Sequence, residues 1–504
     1  MKPVITVIAF LFGLQVMASE IVFDTTFGKI EKNGLPAGWN FHGSGTPVCV
    51  EDGRLLFTNI DSKRESGIVM KLDLNAGFEY EFSVEVVERK SGESVGCLYL
   101  QLNPTGEAGS KVICQHPVST GNLGQYVTST LKYIPQRTQS VALYLYSKRS
   151  GTPQINVRRI FCQRKPDTTR WLPANRPPFT VWGLPFMQEN NGAYYRYPEA
   201  RMKHLPTWGV TCYPSGGRIR FKTNATRMDL RIDHGKAGFP WPEMSALSMA
   251  CMDIYQGTPE DMVFRWRTDR NLLDKDFPYC ASYSPKTKPG EMSEYTIYLP
   301  MYTTLKSLDI ALTPVDAKVE KPAPYKLTKP VVWYSTSFAH GAGASGPSMS
   351  FPALTARILG VDIVNLGISG NHQWLAEEAG LLAEIDAAIY ILGPILGNVE
   401  LMAERYPAMI RILREKHPAT PILLVTRLHT LGVEKPHEVN ELVRKLHAER
   451  VAAGDGNIHF LDAFTLYSDG PIPCTIDGVH VTDLGAKIIA DAFVPELRKI
   501  LDIK

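Results

Sequence analysis

The sequence predicts a multidomain protein: two all-β segments of sandwich type, then an α/β segment built on a five-stranded parallel sheet. Three observations carry this. With 504 residues the chain is too long for one ordinary core. Up to about residue 320 it reads mainly as short strands separated by turns. After Pro330, compact apolar runs alternate with amphipathic stretches of helix length.

At the N-terminus, Lys2 precedes an apolar stretch from Val4 to Leu14, and Val16-Met17-Ala18 follows with small side chains at the cleavage positions. Residues 1–19 read as a secretory leader, so the protein is expected to be secreted or periplasmic after cleavage. The apolar part falls short of the roughly 18–20 residues a membrane span needs, and no later segment approaches that length. The formal net charge of +3 is small for the length, and no basic run is dense enough to suggest nucleic acid. Eight cysteines are scattered without a CxxC or metal-like spacing, so no zinc site is expected.

Residues 20–165 form the first β segment. Arg54–Phe57, Tyr80–Val86 and Val141–Tyr146 alternate or carry β-branched and aromatic residues, and Glu51-Asp52-Gly53, Asn75-Ala76-Gly77 and Ser150-Gly151 mark turns between them. The aromatic residues here, among them Trp39, Tyr99, Tyr144 and Tyr146, are expected mainly in the core. Residues 166–325 form the second β segment. Arg218–Thr223 and Met228–Ile232 alternate strictly, as half-buried strands do, and prolines at 173, 177 and 178, then 322, 324 and 330, mark its joints. One or two of its tryptophans (171, 182, 208, 241, 266) are expected to border a cleft at the junction with the last segment.

Residues 326–504 change rhythm. The apolar runs are Val331–Tyr334, Asp362–Leu366, Ala388–Leu392, Ile422–Val425 and Ile458–Leu461; helix-length stretches lie at 350–359, 373–385, 400–416, 436–452 and 483–501. Such sheets place their sites outside the carboxyl ends of the strands. Four loops there carry polar residues. The first is Tyr334-Ser335-Thr336-Ser337, followed by Phe338-Ala339-His340-Gly341. The second is Asn365-Leu366-Gly367-Ile368-Ser369-Gly370, and the third Gly393-Pro394-Ile395-Leu396-Gly397-Asn398. The fourth is Asp477-Gly478-Val479-His480, just before the last helix, where an Asp three residues ahead of a His can orient the imidazole toward a nucleophile.

Together the four loops resemble the blocks of the SGNH (GDSL-type) hydrolases, esterases with a flavodoxin-like sheet. Ser335-Thr336-Ser337 is similar to the Gly-Thr-Ser first block of a bacterial subgroup that often carries a β-rich domain ahead of the hydrolase. The resemblance implies Ser337 as nucleophile, Asp477 and His480 as its triad partners, and an oxyanion hole from the N–H groups of Ser337 and Gly370 and the side chain of Asn398. Ser335 stands in place of the block's glycine, Gly346 where the subgroup often has arginine, and the spacing around Asn398 is one residue longer. His340 is expected to be a polar loop residue without a direct role.

The implied chemistry is acyl transfer that requires no metal or cofactor, with an acyl group, acetyl foremost, removed from an ester-bearing small molecule or polysaccharide. The phrase Gly34-Leu35-Pro36-Ala37-Gly38-Trp39-Asn40 with Tyr144-Leu145-Tyr146 looks similar to carbohydrate-binding jelly rolls, which makes residues 20–165 a candidate carbohydrate-binding domain. The alternatives are a lipid or small-ester acylhydrolase, and a non-catalytic carbohydrate-binding protein with a decayed hydrolase domain.

Overall fold

The computed structural model describes residues 19–43, 48–57, 66–90, 98–105, 112–118, 124–135, 137–147, 154–235, 241–268, 278–370, 374–394, 399–431, 438–467 and 471–503. The leader reading falls on residues outside this set. The chain divides into two compact units, Met1–Thr168 and Thr169–Lys504. Among the described residues, no helix is long and apolar enough to cross a membrane.

The first unit is a β-sandwich of two antiparallel sheets. One runs Val48–Glu51, Arg54–Phe57, Gln154–Pro166, Phe78–Lys90, Val127–Tyr133, with Glu20–Thr26 also on Gln154–Pro166. The other runs Trp39–Gly43, Ser66–Leu74, Gln139–Ser147, Leu98–Pro104, Cys114–Pro117. Alternation decides which side chains meet between the sheets. Val141, Leu143 and Leu145 join Ile68, Leu100 and Leu102 in the core. Trp39 is buried there too, its indole N–H donating to Thr25 Oγ1 at 3.0 Å. Tyr144, Tyr146 and Tyr99 have the opposite parity and lie on the outer face of this sheet, where Tyr144 and Tyr99 are half-buried and Tyr146 is buried at 4% exposure. The aromatics expected mainly in the core therefore divide, and strand parity is the reason.

The second unit begins with another sandwich. Leu172–Pro173, Ser307–Thr313, Arg227–Asp233 and Tyr279–Tyr283 make one antiparallel sheet. Thr180–Trp182, Arg218–Thr223, Ser293–Tyr298, Asp253–Gln256 and Val263–Arg267 make the other, with Val319–Glu320 also on Arg218–Thr223. Ile219, Phe221, Leu230, Ile232, Ile297 and Ile310 fill the space between them.

The chain then enters a parallel sheet of β1 (Val331–Tyr334), β2 (Ile363–Asn365), β3 (Ile389–Leu392), β4 (Ile422–Val425) and β5 (Ile458–Leu461), in spatial order 2-1-3-4-5. This is the flavodoxin-like order. Both faces are covered, so each strand is apolar at nearly every position. Trp333, Ile363 and Ile391 pack against the helices Phe351–Leu359 and Asp483–Leu501; Val332, Tyr390, Leu392 and Leu424 pack against Ala376–Ala383, Val399–Lys416 and Glu438–Ala452. Thr482 caps the last helix, its Oγ1 accepting from Gly485 N at 3.3 Å.

β2 is an edge strand, and bare edges expose carbonyls that need donors. The sandwich supplies them. Arg218 Nη2 donates to Ile363 O at 3.0 Å and pairs with Asp362. Arg196 Nη1 donates to Asn365 O at 3.2 Å and Gly367 O at 2.6 Å, and Tyr197 OH to Leu366 O at 2.9 Å. These bonds account for the two segments, different in sequence texture, sharing one compact unit.

Candidate active site

β1 ends at Tyr334, and three residues later Ser337 opens a single helical turn, Ser337–His340. Gly341 closes the turn at φ 112°, a left-handed angle that suits glycine, and its N–H donates to Ser337 O at 3.2 Å. A neighbouring glycine allows a close approach: a Cβ on Gly343 would lie 2.7 Å from Val481 O and 3.2 Å from His480 C. The nucleophile loop and the histidine turn can therefore lie backbone to backbone.

Asp477, Gly478, Val479 and His480 form a tight turn held by the aspartate itself. Asp477 Oδ1 accepts from the N–H groups of Val479 (2.9 Å) and His480 (2.7 Å), and Oδ2 from His480 Nδ1 at 2.7 Å. Partial burial pushes the Asp477 carboxyl up, but these bonds outweigh it and hold the group below its ordinary range. With Nδ1 protonated toward Asp477, His480 Nε2 is left as an acceptor, and Ser337 Oγ stands 3.1 Å from it. The three residues singled out in the sequence thus converge, 143 positions apart between serine and histidine. Ser337 is buried at 7% exposure, and Asp477 sits at the rim.

Behind Ser337 lies a polar cluster that sequence reasoning missed. His340 is fully buried, its ring stacked on Tyr302 at 4.1 Å between centroids. Tyr302 OH and Ser369 Oγ are 2.5 Å apart, Ser369 Oγ is 3.1 Å from His340 Nδ1, and His340 Nε2 is 2.9 Å from Met301 O. One proton arrangement satisfies all of them: Tyr302 donates to Ser369, Ser369 to His340 Nδ1, and His340 Nε2–H to the Met301 carbonyl. Burial, reinforced by the Arg196 charge, pushes the His340 ring well below its ordinary value and keeps it neutral. Arg196 is itself buried, and besides the two β2-edge carbonyls it reaches Tyr213 O and Val210 O, both at 2.8 Å. Burial pulls its guanidinium down to about 10.

This cluster braces the second loop. Ile368 N donates to Ser335 O at 3.0 Å, and a Cβ on Gly367 would come 2.4 Å from His340 N. Gly370 follows Ser369 directly, in an exposed turn at φ 71°. Ser335, in the place of the family's glycine, has no left-handed backbone angle to resist its Cβ, and its hydroxyl donates to Pro394 O on the third loop. Asn398 lies outside the described residues.

The β-rich segment contributes to the site as well. Trp241, from the set of five tryptophans of which one or two are expected to border a cleft, packs edge-on against Tyr302 at 5.6 Å. Glu243 places Oε1 3.9 Å from His480 Nδ1. Above Gly346, the Arg267 guanidinium fills the space a side chain would take: a Cβ there would lie 2.1 Å from its Nη2. Arg267 donates to Ser345 O at 2.8 Å and pairs with Asp253. No local pattern announces Glu243 or Arg267, since each comes from a distant strand or turn.

Two stretches of the second unit match known protein families. Residues 328–498 match the GDSL-like lipase/acylhydrolase family, and residues 169–317 match the family described as the N-terminus of SGNH-hydrolase-type esterases. No curated protein matches the chain. Among solved structures, a protein from Bacteroides ovatus described as a GDSL-like lipase is 26% identical with a TM-score of 0.56, over 67% of this chain and 99% of its own. The salicylyl-acyltransferase SsfX3 from a tetracycline biosynthetic pathway is 21% identical with a TM-score of 0.56, over 67% of this chain and 98% of its own.

Proposed function

The second unit belongs to the SGNH (GDSL-type) hydrolase superfamily, and from that membership we propose that the protein is a secreted serine esterase removing acyl groups, acetyl foremost, from carbohydrate. The observation that carries the chemistry is the 3.1 Å approach of Ser337 Oγ to His480 Nε2, with Asp477 on the other ring nitrogen. Ser337 attacks the ester carbonyl and its proton passes to Nε2. Asp477 holds Nδ1–H and stabilises the imidazolium. The oxyanion is met by the N–H groups of Ser337 and Gly370 and the Asn398 amide, each donor contributing about 3 kcal/mol. Collapse expels the alcohol, which takes the proton from His480. Water, activated by the same ring, then releases the acid and frees Ser337.

The carbohydrate part of the reading is supported by the leader-like N-terminus and by the first unit's outer sheet face. There Tyr99, Tyr144, Tyr146 and His42 pack ring against ring, with His42 and Tyr144 at 4.8 Å. Gln115 Nε2 and Tyr146 OH both donate to Gln101 Oε1, at 2.9 and 2.7 Å, and Gln101 Nε2 donates to Asn103 Oδ1 at 2.8 Å. The partly exposed rings of Tyr99, Tyr144 and His42, with the exposed amide of Gln115, suit sugar rings and their hydroxyls.

The test is hydrolysis of p-nitrophenyl acetate by the full chain, then of longer acyl esters and of acetylated polysaccharides. Ser337→Ala should abolish turnover with an unchanged melting temperature. Retained activity in that variant would sink the triad. A preference for long acyl chains would favour the lipid-ester reading.

A further inference from the structure

Glu243 stands 3.9 Å from His480 Nδ1, and the reaction as drawn does not use it. Its side chain is 11% exposed, against 41% for Asp477. Burying a carboxylate this far is costly unless a positive group is close by. Among the described residues, no lysine or arginine comes within ion-pair distance of Glu243; the group there that can become positive is the His480 ring.

We propose that Glu243 is a positioning residue for acyl transfer, a second carboxylate that acts through His480 to favour the imidazolium formed as Ser337 loses its proton. The inference rests on the Ser337–His480 reaction proposed above. At 3.9 Å the contact is too long for a hydrogen bond, and Nδ1–H is already committed to Asp477 at 2.7 Å. Glu243 therefore works by charge. Asp477 lies in the solvent-screened rim, whereas Glu243 lies in the enclosed wall, where a charge of the same sign is screened less. The wall is fixed by packing: Trp241, two residues earlier, rests on Tyr302, and Tyr302 stacks on His340. The β-rich segment thereby contributes charge to the reaction as well as a surface to the cleft.

Glu243→Gln keeps the shape of the side chain and removes its charge. With p-nitrophenyl acetate, kcat should fall about tenfold while KM stays within about twofold, the pattern of an interaction made in the transition state. Glu243→Asp, which restores a carboxylate, should recover part of the loss. In an Asp477→Ala background, where Glu243 is the remaining carboxylate, adding Glu243→Gln should cost about tenfold more. An unchanged kcat in Glu243→Gln overturns the inference. So does a change in KM alone, which would make Glu243 a substrate contact, and so does a double variant no weaker than Asp477→Ala. A silent Glu243→Gln beside an inactive Ser337→Ala overturns this inference alone; an active Ser337→Ala overturns the reaction and this inference with it.

Discussion

Ser337 has two histidine neighbours, and their surroundings differ at every point. His480 reaches it by a hydrogen bond, keeps 20% of its side chain exposed, and has Asp477 and Glu243 beside Nδ1. His340 shares its helical turn, is fully buried, and faces a hydroxyl, a carbonyl and a guanidinium. Carboxylates and solvent flank the first ring. Around the second, burial and the Arg196 charge penalise the protonated form. Sequence proximity to the nucleophile, three residues for His340, is thus a poor guide to which histidine does the chemistry.

The most direct way to break this contrast is to remove each ring in turn. His480→Ala should lower kcat by about 10⁴-fold or more at an unchanged melting temperature, since it takes away the base and nothing that the core needs. His340→Ala should lower the melting temperature, because it leaves the Ser369 hydroxyl proton without its acceptor and the Met301 carbonyl without its donor inside the protein. If His340→Ala matched the loss of turnover while melting like the parent, the assignment of the two roles would be wrong.

A second variant probes what the buried cluster is for. Arg196→Met deletes the donors to Tyr213, Val210, Asn365 and Gly367 carbonyls, the last two on the β2 edge. Each buried carbonyl left without a donor costs about 1–3 kcal/mol, partly offset because a desolvated charge is removed as well. A net loss of about 3 kcal/mol is expected in urea unfolding. A variant as stable as the parent would mean that the sandwich does not depend on this residue to cap the sheet edge.

The same contrast separates what the sequence discloses from what it hides. Strands β1 to β5 fall within a residue of the apolar runs, and the last helix, Asp483–Leu501, falls on its predicted span, because burial on both faces makes the strands nearly continuous in apolar residues. Asp477 and His480 were legible because their contact is local, three residues apart, and Ser337 because it sits in a recognisable loop. Arg196, Tyr302 and Glu243 were not. Arg196 meets His340 across 144 residues and Tyr302 meets Ser369 across 67, and nothing in either local stretch distinguishes these side chains from ordinary core arginine or tyrosine. In the first unit a weak signal was present: Tyr144 and Tyr146 lie out of phase with Val141, Leu143 and Leu145, and that parity, rather than aromatic content, sends them to the outer face.

The smallest effect tests the neutrality of His340 itself. Its folded-state value lies well below the ordinary one, and so does that of His234, which burial pulls down to about 4. As pH falls through about 6.5 the unfolded chain takes up these protons while the folded chain does not. Stability is therefore held above that value and is lost as pH falls toward the folded-state values. Between pH 7 and pH 6 each histidine should account for about 0.7 kcal/mol. The carboxylates with lowered values, Asp477 and Asp455 among them, act in a more acidic window and do not interfere. Urea unfolding at the two pH values gives the loss for the parent, and His340→Gln, although less stable, should lose about 0.7 kcal/mol less over the same step. Equal losses would mean that His340 takes up its proton in the folded protein as readily as in the unfolded chain. The line drawn between the two histidines would then fail at the buried one.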